Sequence, residues 1–360
     1  MRLRFGTYNL FNLGQLASRE ERERYDLLVQ VIRGLDADVL AVQEIIGQDP
    51  EEAAAVLRRL ADDTGMSCEA TRASSTVPEP ALGSSHHKFH LGLLWRPGFE
   101  PLPGSLWTCR GGVDFWHAMT TAVFDTGTGT AGQVRLGSYH ADPFRPPQRL
   151  SEAYRVLSAF QDGLPGGIGA DWNEISADRR PTGAYFDPDT LPGQTHRKVR
   201  YQARFDPDNP TASPVSDRAA TTLLLQQPGG LLDTAAVADA PWLPTTGHWI
   251  DAGGRCESFG PRRIDTLRVT ADLAPAVREH TTHGGPLGPV LAEVVDRHLA
   301  EGLSSIADKA SAAITKHLAT STLTAAERAS DHLPVTTDLD LTAITATTRA
   351  TPHPSANGPS

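Results

Sequence analysis

Ser330-Asp331-His332-Leu333-Pro334-Val335 is the stretch on which the reading of this 360-residue chain turns. Alone, Ser-Asp-His is a common tripeptide with little information. It gains meaning from four segments upstream: Thr7-Tyr8-Asn9, Gln43-Glu44, Asp171-Trp172-Asn173 and Arg263-Ile264-Asp265. Together, in this order, the five supply every residue type that metal-assisted attack on a phosphoester needs.

Working outward, each segment falls where an apolar run stops. Residues 2–10 read as a buried strand that delivers Asn9, and Asp38–Gln43 as a second strand with Glu44 at its tip. His90–Trp95, Ala118–Phe124 and Gln133–Tyr139 read as strands, with His140 directly after the last. A helix over 148–160 leads through Pro165-Gly166-Gly167 to a strand ending in Asp171-Trp172-Asn173. Helices are expected at about 20–34, where Tyr25, Leu28, Ile32 and Leu35 keep helical spacing, and at 51–63, whose first residues Glu51 and Glu52 suit the positive end of the dipole. Acids, amides and histidines thus gather at strand ends, as in α/β proteins that assemble a site along one edge of their sheets.

Residues 176–230 lack periodicity and are rich in Pro, Asp, Arg and Gly, and they read as long surface excursions. Residues 287–318 read as one helix whose stripe runs through Leu287, Leu291, Val294, Val295, Leu299, Leu303, Ile306, Ala310, Ile314 and Leu318. Residues 342–360, all small, polar or Pro, read as a disordered tail. The expectation is one domain over 1–341 with surface insertions at about 176–230 and 270–328.

Lys plus Arg number 33 against 43 Asp plus Glu, a net charge of −10. That argues against a broad non-specific grip on nucleic acid, which works by neutralising phosphates, while leaving room for a local basic groove. Cys68, Cys109 and Cys256 are far apart and lack CxxC spacing, so they form neither a disulfide framework nor a thiolate zinc site. A reducing compartment fits them. The alternation of Leu3, Phe5 and Thr7 is that of a strand and unlike a signal peptide. No run approaches the ~18 apolar residues of a membrane span. A soluble cytoplasmic protein is expected.

A phosphoester resists attack because its oxygens are already negative. Hydrolysis needs a cation on those oxygens, an oriented and deprotonated water, and charge relief for the leaving oxygen. Mg²⁺ takes oxygen ligands and few protein carboxylates, and Glu44 and Asp331 are the candidates, with the Asn9 amide oxygen in support and Mn²⁺ as a substitute ion. Asp171 would orient or deprotonate the water, and Asn173 would donate to a phosphate oxygen. His332 needs a carboxylate partner, for which Asp265 is the choice; the cationic imidazole would then stabilise developing charge. His140 would protonate the leaving group.

Thr7-Tyr8-Asn9-Leu10, Val42-Gln43-Glu44, Gly137-Ser138-Tyr139-His140, Gly169-Ala170-Asp171-Trp172-Asn173, Arg263-Ile264-Asp265 and Ser330–Val335 resemble the ordered motifs of the endonuclease/exonuclease/phosphatase superfamily. The resemblance covers roughly residues 1–175 and 231–341. It implies a four-layer α/β sandwich, two mixed, mainly antiparallel sheets packed face to face and flanked by helices, with Mg²⁺-dependent hydrolysis. It gives Asn9, Glu44, Asp171, Asn173, Asp265, Asp331 and His332 the roles just argued, and His140 matches members with a histidine after this strand. Nucleic acid or nucleotide is the expected substrate; a small phosphomonoester or a phospholipid headgroup is the alternative, and a catalytically silent binding protein would be expected to have lost Asp171, Glu44 or His332.

Three departures bear on the substrate. Ala170 is an extra residue before the aspartate of the usual Gly-Asp-Phe/Trp-Asn. The strand His90–Trp95 lacks the acid that pairs with the leaving-group histidine in deoxyribonuclease I, and is preceded by His86-His87-Lys88-Phe89. Asp265 and His332 are 67 positions apart, a long separation. His90 is the expected phosphate or substrate contact in the histidine cluster. Arg197 and Arg200, in the basic stretch His196–Arg204, are expected to steer a polyanion, with Tyr201 among them to stack on a base.

Overall fold

The first apolar alternation folds as β1 (Arg2–Leu13), and its two faces serve two cores. Leu3 and Phe5 point into one, Tyr8, Leu10 and Leu13 into the other, the period-2 division a pleated strand imposes. In this computed structural model the described residues are 1–112, 114–127, 132–189, 197–212, 214–226, 229–250, 260–301 and 306–344.

β1 lies inside a six-stranded sheet with β2 (Val39–Ile46), β3 (Leu82–Gly83), β4 (Phe89–Trp95), β11 (Val277–Thr282) and β12 (Val335–Asp340), in the order β11-β12-β1-β2-β4-β3. A second six-stranded sheet is built from β5 (Trp107–Cys109), β6 (Ala118–Asp125), β7 (Gln133–His140), β8 (Gly166–Asp171), β9 (Leu231–Asp233) and β10 (Asp265–Thr270), in the order β9-β10-β8-β7-β6-β5. Each sheet is mixed: β1 runs parallel to β2 and β7 to β8, and the other neighbours pair antiparallel.

The sheets face each other across Phe5, Val39, Leu93 and Trp95 from one side and Phe124, Leu136, Leu267 and Val269 from the other. They approach closely at Gly169, where an added Cβ would lie 2.8 Å from the Thr7 side chain and 2.9 Å from that of Ala41. Behind that contact Gln43 Nε2 crosses between sheets to Ser138 Oγ (3.1 Å), a polar staple within the apolar layer. Outside the first sheet lie α1 (Arg19–Leu35) and α2 (Pro50–Thr64). Ser18 and Glu21 form a capping box that starts α1; Asp49 caps α2, and Gly65 at φ 73° ends it. Outside the second sheet lie α3 (Pro146–Ser158) and α4 (Ala219–Leu224), packed on Tyr139, Ile168 and Trp172. This is the four-layer α/β sandwich that the motifs implied.

The connecting segments add detail to three expectations. The 287–318 stripe is two helices, α5 (Leu287–Glu301) and α6 (Ile306–Leu318), packed on each other through Leu291, Val294, Val295, Ile306, Ala310 and Ile314. Gly302, a poor helix former, stands between them in the sequence. More of the described part of the 176–230 segment is exposed than buried, but it also sends buried acids inward to buried arginines. Asp178 takes Arg268 at 2.7 Å, Asp187 takes both Nε and Nη2 of Arg263 at 2.7 Å, and α4 packs beneath it. Of the expected tail, residues 342–343 belong to a final 3-10 turn (Leu341–Ala343), and 345–360 lie outside the described residues. No helix among the described residues is long and apolar enough to cross a membrane.

Candidate active site

Strand register builds half the site. Asp171, at the end of β8, is in register with His140 on parallel β7 and with Asp265 on antiparallel β10. Three neighbouring strands therefore present an imidazole and two carboxylates at one level. The other half comes from broken register in the first sheet. The β1–β2 ladder slips after Asn9–Gln43, the β2–β4 ladder slips between Gln43 and Ile45, and Glu44 is the bulged residue at φ 62°. A bulge re-aims a side chain that a regular strand would point elsewhere. Phe11 (φ 47°), Asn12 (φ 57°) and Asn173 (φ 50°) share this left-handed backbone. Such positions cost roughly 1–3 kcal/mol each and persist where surrounding contacts fix them. Here Asn12 N–H donates to Glu44 Oε2 (2.9 Å), Phe11 N–H to Asn9 Oδ1 (3.0 Å) and Asn173 N–H to Asp171 Oδ1 (2.9 Å).

Asp171 is the hub. Its Oδ2 accepts from Asn9 Nδ2 at 3.1 Å, and lies 3.4 Å from His140 Nε2 and 3.9 Å from His332 Nε2. Burial works against its charge, yet the His140 hydrogen bond, the nearby His332 and the Asn173 N–H outweigh it and push the carboxyl down to about 2. Asn9 also donates from Nδ2 to Glu44 Oε1 (3.3 Å). Its oxygen, the expected supplementary metal contact, accepts the Phe11 N–H, and its amide nitrogen ties the two carboxylates together.

His332 Nδ1 donates to Asp265 at 2.8 Å. Ser330 holds that turn, its hydroxyl donating to the Asn9 carbonyl at 2.8 Å and accepting the His332 N–H at 3.1 Å. Burial opposes a charge on His332, but Asp265, Asp331 and Asp171 overcome it and hold the imidazole protonated well above its ordinary range. Burial pushes the Asp265 carboxyl up while His332 pulls it down. With three carboxylates around one ring, a charged His332 is the direction the arrangement favours.

Glu44, Asp171, Asn173, His140, Asp331 and His332 line one cavity of about 510 Å³. One ligand atom each of Asp171, Asp265 and His332 lie within 4.8 Å of one another, close enough for a cation. Both Asp265 oxygens already face His332 Nδ1, however, so these two form a hydrogen-bonded pair, with His332 Nε2 3.9 Å from Asp171. Glu44, bulged within β2, and Asp331, in the loop before β12, are hard carboxylate donors that line the same cavity.

Other expected residues fall elsewhere. His90 is buried with both nitrogens engaged, Nδ1 by the Ser85 N–H (3.1 Å) and Nε2 by the Gly47 carbonyl (3.2 Å), so it braces a loop and is not among the cavity-lining residues. Arg200 is exposed, its guanidinium over the Phe205 ring, and is not on the cavity. Arg197 begins a 3-10 turn, and its side chain lies outside the described residues. Their neighbour Tyr201 does line the cavity, as do Trp116, His117 and Arg262, which sequence reasoning passed over. His117 lies flat on His140, ring centroids 3.8 Å apart, where an acid was missing. The adjacent aromatic pair Trp116-His117 at a strand start was the signal available.

By sequence, no family model and no curated protein matches the chain. By structure, it is similar to an endonuclease/exonuclease/phosphatase from Bacteroides vulgatus with a TM-score of 0.53 at 13% identity, covering 94% of this chain and 99% of that one. A family protein from Bacteroides thetaiotaomicron gives 0.51 at 16% identity, covering 94% and 97%. A mannosyl-6-phosphatase from the same organism gives 0.51 at 16%, covering 94% and 99%. The chain has the fold of the endonuclease/exonuclease/phosphatase superfamily.

Proposed function

We propose that the chain is a phosphoesterase that hydrolyses phosphodiester bonds by in-line attack of water, on a nucleotide or a short nucleic acid segment. The observation that carries this reading is the convergence of Asp171, His140 and the Asp265–His332 pair with two hard-donor carboxylates on one cavity. Glu44 and Asp331 would hold Mg²⁺, which supplies Lewis-acid neutralisation of the phosphate oxygens when bound.

The remaining work falls to this chain's residues. Asp171 stays ionised and orients the attacking water; at a pKa of about 2 it is a weak base, so orientation precedes proton uptake. Protonated His332, fixed by Asp265, places positive charge where the phosphoryl oxygens gain negative charge. His140 gives its proton to the departing oxygen. The size of the cavity suits a nucleotide-sized ester better than a polymer duplex, and on the same ground a small phosphomonoester is the second reading.

The test is turnover of a bis-nitrophenyl phosphodiester with Mg²⁺, with EDTA, and by Asp171→Asn. Metal-dependent turnover that Asp171→Asn abolishes is expected. Absence of turnover on any diester or monoester would remove the reading. A panel of plasmid DNA, RNA, nucleotides and sugar phosphates assigns the substrate.

A further inference from the structure

Five rings run in contact from the rim of the cavity down to His140. Phe144 meets Trp116 edge-on (centroids 5.6 Å, 88°), Trp116 meets His87 (5.2 Å, 41°), His87 meets His117 (4.7 Å, 84°), and His117 stacks flat on His140 (3.8 Å, 1°). All five line the cavity. Phe144 is 63% exposed, an apolar ring at the mouth that no core employs. Lys88 over Phe89 and Arg145 over Trp116 place cations beside the row, Arg145 also pairing with Asp142.

The row is held rigidly. One buried carboxylate, Glu152, accepts the Trp116 N–H (2.6 Å), the Asp142 N–H (3.0 Å) and the Tyr139 hydroxyl (2.5 Å). It thereby fixes the two segments that carry Trp116–His117 and Phe144. Within the row, Nε2 of His87 and Nε2 of His117 are buried without a hydrogen-bond partner, and His117 is 3% exposed. His140 Nδ1 is a third such atom, and buried polar atoms without partners are exceptions that cluster here along the ring row. Aromatic faces with a few polar edge atoms suit a planar π-system. A polyol would instead require many hydroxyl partners.

We propose that this row is a subsite for a planar aromatic group, a nucleobase or an aryl ring, carried on the leaving-group side of the phosphoester. The side follows from the inner end of the row, which is His140, the residue placed to protonate the leaving oxygen. The inference rests on the phosphoesterase reading and specifies its substrate class.

The test compares a dinucleoside monophosphate with the same diester lacking the base on its leaving nucleoside, whose leaving alkoxide is chemically alike. The base is expected to raise kcat/KM by about tenfold or more, one stacking contact's effect, chiefly through KM. That ratio should fall toward one in Phe144→Ala and in Trp116→Ala, with folding checked by circular dichroism; Phe144 is exposed enough that its loss leaves the core untouched. A ratio near one in the wild type, or one unchanged in both variants, overturns the subsite. Calorimetry of the unsubstituted protein with adenosine, ribose and 2-phenylethanol supplies an arm that needs no turnover. Binding of adenosine or phenylethanol but not ribose supports the subsite, and separates nucleobase from aryl, even if hydrolysis fails. Binding of neither aromatic overturns it.

Discussion

Asp171 and Asp265 face each other in register on antiparallel strands, and His332 reaches both, at 2.8 Å from Asp265 and 3.9 Å from Asp171. Two buried carboxylates at one level would repel; the shared imidazolium lets both stay ionised. The consequence is that the three act as one unit.

If so, their losses do not add. Asp265→Asn and His332→Gln are each expected to lower kcat by about 10²–10⁴, and the double variant to be no slower than the worse single. Steady-state kinetics on the four proteins checks this. A double variant slower by the product of the single losses would separate the roles.

Asp171→Asn keeps the size of the side chain and its acceptor for the Asn173 N–H, but removes the charge that orients water. A kcat loss of about 10²–10⁴ with KM within a few-fold is expected. Chemical quench and product quantification read it.

Chelation should silence the enzyme reversibly. Glu44→Gln is expected to raise the Mg²⁺ concentration for half-activation by about tenfold or more, since one of two hard donors loses its charge. Asn9→Ala should act more mildly, because its oxygen bonds Phe11 N–H and its amide only orients Glu44 and Asp171. Metal titration of activity distinguishes the two variants.

Acid should destabilise the fold through buried neutral histidines. Burial pushes His280 down to about 3, and His87 and His248 down to about 4. Unfolded, each takes a proton near pH 6.5. Between that value and the folded pKa the unfolded chain binds more protons, so this stability is complete above about 6.5 and lost as pH falls. Buried Glu174, pushed up to about 7, works in the opposite sense. The comparison that isolates the effect is melting temperature against pH for the wild type and His280→Gln, the variant showing the shallower acid slope.

Gly169→Ala is expected to destabilise by about 1–3 kcal/mol, the usual cost of overpacking. Its new methyl would sit 2.8 and 2.9 Å from Thr7 and Ala41 of the facing sheet. Urea denaturation measures it.

The sandwich was legible because polar residues of distinctive type interrupt or follow its apolar runs: Asn9 and Glu44 within β1 and β2, Asp171 at the end of β8 and His332 just before β12. The Asp265–His332 pair was legible across 67 positions because each residue type calls for the other. Less legible was anything set by loop geometry. His90 lies in a histidine-rich run, and only the backbone around Ser85 and Gly47 shows that its nitrogens are consumed. The 176–230 segment lacks periodicity and reads as surface, yet two of its acids, Asp187 and Asp178, are buried counter-charges to Arg263 and Arg268, partners that no local window contains. Trp116 and His117 escaped notice because their importance comes from stacking against residues on other loops.

Ser330 Oγ bonds the carbonyl of Asn9, joining residues 321 positions apart. The catalytic edge therefore has no local precursor: its first and last contributors meet only when the ends of the chain have been brought together around both sheets. Contacts of such sequence separation form late and slowly. Recovery of activity after dilution from denaturant should track the pairing of β1 with β12, which joins the same two ends, so a nascent chain still lacking its last strand would carry none of the reactivity.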